Sequence, residues 1–265
     1  MAERIHIKSP GEIAKMQKAG AVTAEILMEI GAEVHAGRTT REIDDIAREI
    51  FKKYKVGNAF YQYRGFPGQL CISVNEEVVH GSGGPRRIEN GDIVSLDVGA
   101  IVDGWYGDNA MTVPVGMVAP ETLRLLAATE ESLFRAIDLV RPGALLADVC
   151  GAVEAFVRPR GFTVVRDFVG HGIGRHLHEE PQIPNYRPHY KLPRPKQGMA
   201  LAIEPMVNAG RPSVKILDDG WTVVTADGKP SAHFEHTVIV TDGAPLIVTE
   251  RPRIALPEQL GIAPL

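Results

Sequence analysis

The sequence predicts an α/β chain of the α+β kind, made of two half-chains that each supply two helices and a pair of strands and fold about a pseudo-twofold axis. Three observations predict it. Helical periodicity appears twice on each side of an extended apolar stretch in the middle of the chain. The halves repeat: an offset of 106 relates Thr23 to Thr129, Glu25 to Glu131, Val34 to Val140 and Gly37 to Gly143, and an offset of 107 lays Gly91–Asp97 on Gly198–Glu204. Both of those segments run from a glycine through mostly apolar residues to an acid. Each half also carries acids inside strand-forming runs, where acids are depleted and almost never fully buried without a partner.

Taken in order, Ser9-Pro10-Gly11-Glu12 opens the first helix with a serine cap and proline beside it, and Ile13, Met16, Val22, Ile26, Leu27 and Ile30 follow at helical spacing. It stops between Gly31 and Gly37. Thr39 and Glu42 form a capping box for a second helix through Ile43, Ile46, Ile50 and Phe51. After Val115-Gly116 the pattern returns, with a helix from Ala119-Pro120-Glu121 through Ile137, then Pro142-Gly143, then a helix through Val149, Val153 and Phe156. The halves run over about 8–115 and 118–250 of a single domain spanning 1–265.

Between the first two helices and the second two lies Gly91–Val113, whose Asp103-Gly104 favours a two-residue hairpin turn. With that loop, Asp97 falls opposite Ala110 and Asp108 opposite Gly99, so both carboxylates share one face as diagonal neighbours, roughly 7–8 Å apart at the backbone. From this hairpin alone, two solvated acids on a wet sheet face are an equally good reading. In the second half a last strand over Ala232–Val240 holds Glu235, which stands to Glu204 as Asp108 stands to Asp97. Four acids converging in a partly dry centre repel, and need protons or cations. Two divalent ions would balance them. Gly170-His171-Gly172 adds a nitrogen donor on a backbone that can approach closely. Two Asp, two Glu and one His make a hard set suited to Mn, Fe(II), Co or Zn in a paired hydrolytic site.

Composition bounds the alternatives. The 265 residues are 44% hydrophobic with a formal charge of −4, which argues against a nucleic-acid-coating protein. MAERIHIKSP lacks the pattern of a signal peptide, and no apolar run is long enough to span a bilayer, so a cytoplasmic protein is expected. Cys71 and Cys150 are too few for a disulfide framework and read as free thiols.

Cys71-Ile72-Ser73-Val74-Asn75-Glu76-Glu77-Val78-Val79-His80-Gly81, the two aspartates, Gly170-His171-Gly172-Ile173-Gly174, His178-Glu179-Glu180-Pro181, Ile203-Glu204-Pro205-Met206 and Glu235-His236-Thr237 together resemble type I methionine aminopeptidases, from about Lys8 to about Thr249. The resemblance implies a pita-bread fold with a curved antiparallel sheet flanked by helices. It implies two divalent metal ions held by Asp97, Asp108, His171, Glu204 and Glu235, and removal of the first methionine from nascent proteins ahead of a small second residue. Glu204 becomes the base for the attacking water, His178 the group facing the scissile carbonyl, and His80 the contact to the peptide nitrogen. Tyr63, Phe66, Cys71 and Trp221 would line the methionine pocket. Next to His178 the family usually has phenylalanine where this chain has Leu177, which bears on the pocket's shape more than on its chemistry.

By the same resemblance, Asn75 and Ser231 match positions that hold a monovalent cation in some relatives. The proline-rich basic loop Arg187 to Lys196 suits docking on ribosomal RNA, although a solvated surface excursion is the commoner fate of such a loop. A monomer is expected. His6, His35, His176, His189 and His233 read as surface or locally hydrogen-bonded groups, with His236 intermediate, and the tail Arg251 to Leu265 is given no function. Two other readings stand beside this one. An Xaa-Pro peptidase of the same fold generally carries an amino-terminal domain, for which a first helix opening at Pro10 leaves no room. A metal-free binding protein would have lost ligands that this sequence keeps.

Overall fold

Helices form where the sequence sets a cap before an apolar stripe. In the computed structural model, which describes residues 5–254, α1 (Pro10–Ala32) starts after Ser9, whose N–H donates to the Glu12 carboxylate at 2.9 Å. Helix α2 (Thr40–Tyr54) starts after Thr39, with both bonds of the capping box made: Thr39 N donates to Glu42 at 2.7 Å and Glu42 N donates to the Thr39 hydroxyl at 3.3 Å. Helices α3 (Pro120–Ile137) and α4 (Leu146–Val157) follow in the second half. Ile26, Leu27 and Ile30 of α1 and Leu125, Leu126 and Leu133 of α3 enter one core with the central strands. The tail from 255 onward lies outside the described residues.

The central hairpin pairs Ile93–Val102 with Trp105–Pro114 around Asp103 (φ 51°) and Gly104 (φ 75°), a turn with both residues at positive φ that matches strand twist. Asp97 faces Ala110 and Asp108 faces Gly99, the register the turn predicts. The second hairpin departs from expectation. Its return strand is not continuous over Ala232–Val240 but splits into Ser231–His233 and His236–Ile239, and its outgoing strand splits into Ala200–Ile203 and Met206–Asn208. One register runs through both pieces, since Ile203 faces His236 and Met206 faces His233. Carried across the gap, that register sets Glu204 opposite Glu235 and Pro205 opposite Phe234. Proline has no N–H to give the ladder, so Phe234 N donates to Pro205 O at 3.3 Å with no bond in return, and regular pairing lapses there. The two acids sit in the interruption.

The halves are related in detail. Gly37 and Gly143 both take positive φ (96° and 78°), and their N–H groups donate to Ile88 O and Pro195 O at 2.8 and 3.0 Å. Gly91 and Gly198 do the same (101° and 86°), bonding Val115 O and Val240 O at 2.8 and 2.9 Å. Thr23 and Thr129 each donate a hydroxyl to the carbonyl four residues back, at 2.8 and 2.7 Å.

Where the halves meet, Trp105–Pro114 lies antiparallel to the return strand of the second hairpin. Glu235 N donates to Ala110 O at 2.9 Å. On one side of that bond Thr237 Oγ1 donates to Asp108 O at 2.8 Å and accepts from Asp108 N at 3.2 Å. On the other, Thr112 Oγ1 donates to His233 O and accepts from His233 N, both at 2.9 Å. Two buried threonine hydroxyls thus take the place of ladder bonds. Replacing either by valine keeps the shape and leaves a buried N–H and C=O unpaired, so Thr112→Val and Thr237→Val are each expected to lower stability by about 1–3 kcal/mol in urea unfolding. Variants as stable as the parent would show that the seam is held by other means.

Candidate metal centre

Each half delivers its acids to the seam from a strand, and the histidine comes from a strand squeezed between two others. Gly170–Gly172 lies between Ala200–Ile203 and Glu179–Ile183. A Cβ on Gly170 would stand 2.4 Å from Ala202 O, and one on Gly172 would stand 2.1 Å from Glu180 O. Only glycine on both sides lets His171 sit at that depth. Its Nδ1 is 2.9 Å from Gly172 O, and a carbonyl can only accept, so Nδ1 carries the proton and Nε2 presents a lone pair.

That lone pair faces acids. His171 Nε2 is 3.5 Å from Glu204 Oε1 and 3.7 Å from Asp108 Oδ2, and Asp108, His171 and Glu235 offer ligand atoms within 4.8 Å of one another. Asp97 and Glu204 complete the wall of the same cavity, which has a volume of about 170 Å³. Asp108, His171 and Glu235 are buried, while Asp97 and Glu204 reach the cavity surface.

Burial drives the electrostatics. It pushes Asp97 up to about 7, and it raises Asp108, Glu204 and Glu235 well above the usual carboxylate range, with mutual repulsion adding to each of those three. Burial also holds His171 down at about 4, so its imidazole is neutral at physiological pH. Asp97 Oδ1, Asp108 Oδ1 and Glu235 Oε1 are buried with no hydrogen-bond partner. Orphaned carboxylate oxygens beside a neutral imidazole lone pair are a hard, anionic donor set that fits divalent cations.

The rest of the cavity mixes aromatic and aliphatic side chains with His80, His178 and Arg64. All the residues expected for binding or catalysis line it: Tyr63, Phe66, Cys71, His80, His178 and Trp221 stand with the five acid and imidazole donors, and so does Leu177. Phe66 meets Trp221 edge-on at 5.3 Å between ring centres. The Cys71 thiol is raised by burial and then by Asp97 and Asp108, so it stays protonated. His178 stacks on Tyr63, whose hydroxyl is 2.9 Å from Nδ1. Burial pushes its imidazole down to about 3, helped by the charges of His171 and Arg64. His80 takes a left-handed backbone (φ 62°), unusual outside glycine, and packs edge-on against Phe168. Asn75 and Ser231 are brought together, with Ser231 N donating to Asn75 O at 2.9 Å.

Three residues escaped sequence reasoning. Phe60 and Arg64 line the cavity. His233, assigned above to surface or local bonding, is 2% exposed with Nε2 3.7 Å from Glu204 Oε2. Strand alternation held the signal, since His233 is two residues from Glu235 and shares its face. His236 is on the opposite face and bonds Thr249 Oγ1 at 3.1 Å, away from the acids.

Buried carboxylates from two related halves, meeting a neutral histidine in one cavity, define the class as a metallohydrolase of the pita-bread fold. Comparison with known proteins gives the family. Residues 14–242 match the model of metallopeptidase family M24, and the chain belongs to that family, in its methionine aminopeptidase branch. It is similar to methionine aminopeptidase 1 of Bacillus subtilis, 48% identical over 89% of this chain and 95% of that protein. A crystal structure of methionine aminopeptidase from Thermotoga maritima superposes with a TM-score of 0.90 at 45% identity, covering 94% of this chain and all of that one. A prolidase from Pyrococcus furiosus, 23% identical with a TM-score of 0.76, shares the fold alone.

The shifted carboxyls set how cation binding depends on pH. Asp97 holds a proton up to about 7 and must release it to ligate, so affinity for Mn(II) is expected to fall, and proton release on binding to rise, as pH drops through that value. His171 is already neutral there and adds no proton. Calorimetry in buffers of different ionisation enthalpy checks this, with Asp97→Asn reducing the released protons and His171→Ala leaving them.

Proposed function

We propose that this protein removes the N-terminal methionine from nascent proteins and peptides, preferring a small second residue, with a pair of divalent ions held by Asp97, Asp108, His171, Glu204 and Glu235. The observation that carries the reading is the cavity in which four acids and His171 adjoin an apolar wall of Phe66, Cys71, Leu177 and Trp221. A cavity of ~150 Å³ holds a benzene-sized group, so this one has room for one methionine side chain and not for a peptide. The sulfur-tolerant aromatic lining suits a thioether.

Divalent ions in this position supply Lewis acidity, acidifying water and polarising a carbonyl. Glu204 takes the proton of the attacking water and passes it to the leaving amine. His178 can donate to the developing oxyanion: when the Tyr63 hydroxyl donates its hydrogen bond to Nδ1, the ring proton lies on Nε2. His80, neutral and lowered by burial, accepts no charge and contacts the peptide nitrogen. Mn, Fe(II), Co and Zn all suit the donors, and a monovalent cation near Asn75 and Ser231 would brace the neighbouring strand turn.

The whole chain acts as one catalytic unit, a cytoplasmic monomer; among the described residues no helix is long and apolar enough to cross a membrane. Ribosomal docking draws support from the basic loop, where Arg187 is paired with Asp148 and Arg194 with the Gly143 carbonyl, while Lys191 and Lys196 are exposed. Co-sedimentation with ribosomes should weaken when Lys191 and Lys196 are both made neutral.

Metal-stripped protein should be inactive on Met-Ala-Ser and recover on titration with one of the four ions, while Ala-Pro-Ala stays uncut. Asp108→Ala and Glu235→Ala should abolish turnover, and His178→Ala should cost about 10²–10³ in kcat with KM moved far less. Full activity in excess chelator would sink the proposal.

A further inference from the structure

Arg64 is exposed and lines the cavity, so its guanidinium stands at the rim. The turn that presents it is unusual. Gln62 (φ 64°) and Arg64 (φ 50°) both lie in the left-handed region, which residues other than glycine rarely adopt, and Gly65 follows at 88°. Gln62 N donates to Phe66 O and Phe66 N to Tyr63 O, each at 2.9 Å, closing the turn on itself. The guanidinium carbon is 5.3 Å from the centre of the Tyr63 ring, the same ring that stacks on His178. Among the described residues no carboxylate pairs with Arg64, whose guanidinium lies beside the Tyr63 ring.

A held, unpaired cation at the rim of the cavity points to an anion that arrives with the substrate. The argument rests on the aminopeptidase reading. The cavity takes one side chain, so the chain after the scissile bond leaves over the rim. The second residue is restricted to small side chains, and the third is the first free to carry a charge near the rim.

We propose that Arg64 is a specificity-determining residue whose guanidinium pairs with an acidic side chain at the third position of the peptide. Peptides beginning Met-Ala-Asp are then processed ahead of otherwise identical peptides beginning Met-Ala-Lys.

The test is competition between these two peptides in one reaction, with methionine release from each followed by mass spectrometry. Because both see the same enzyme, the ratio of their kcat/KM values is independent of how much protein is folded. For the parent we expect a ratio of about fivefold in favour of Asp at low salt, the scale of an exposed ion pair, shrinking as salt is added. Arg64→Gln should bring the ratio toward one, and Arg64→Glu should invert it. A parent ratio near one, or a ratio unmoved by Arg64→Glu, overturns the inference while leaving methionine removal intact. Release of methionine from neither peptide overturns the reading of the site itself, and this inference with it.

Discussion

Four carboxylates buried around one cavity are the constraint on which the structure depends. Alone they repel and resist ionisation, as the raised Asp97, Asp108, Glu204 and Glu235 show. A fold can hold such a group only if the backbone that carries it is tied down independently of the acids. Here the ties are neutral. Thr112 and Thr237 bond backbone across the seam on either side of the Glu235 N to Ala110 O bond, and none of these contacts changes with pH or with cation. The acids are therefore positioned by groups whose energy does not depend on their charge state, which is preorganisation in a physical sense.

The histidines follow the same logic. His171 and His178 would each add positive charge beside cations if they protonated, and burial holds both well below the usual imidazole range. A single neighbour fixes the His171 tautomer, and a single neighbour can set that of His178 in the opposite sense. Gly172 O can only accept, which leaves His171 Nε2 with a free lone pair; when the Tyr63 hydroxyl donates to His178 Nδ1, the ring proton of His178 lies on Nε2.

Much of this was legible in the sequence where the cause is local or periodic. Asp103-Gly104 fixed the turn, and the turn fixed which residues face Asp97 and Asp108. The repeat was legible through glycines, because positive φ at Gly37, Gly91, Gly143 and Gly198 leaves a mark that apolar residues do not. What could not be read depends on contacts distant in sequence. The lapse in the second hairpin needs Pro205 and Phe234 to be known as partners, and the place of His233 needs Glu204 to lie beside it. Arg64 gives no local signal at all, since its meaning comes from lining a wall built by residues up to Glu235.

The tail shows the same limit most plainly. Arg251 begins a stretch in which the sequence offers no periodicity, yet its side chain is buried, paired with Glu130 of α3 at 3.2 Å and donating to Ala110 O at 3.1 Å. That carbonyl is the one that also receives Glu235 N, at the centre of the seam. Just before it, Thr249 accepts from Thr237 N at 2.9 Å, and its carbonyl accepts from Asn109 at 3.1 Å. Asn109 and His236 face away from the acids, on the back of the two strands whose fronts carry Asp108 and Glu235. A charge buried there is costly unless paired, and Glu130 provides the pair from a helix that packs against the second hairpin. The chain thus returns after the strand His236–Ile239 to fasten the reverse side of the joint, with the Arg251 guanidinium behind the sheet and the acids in front.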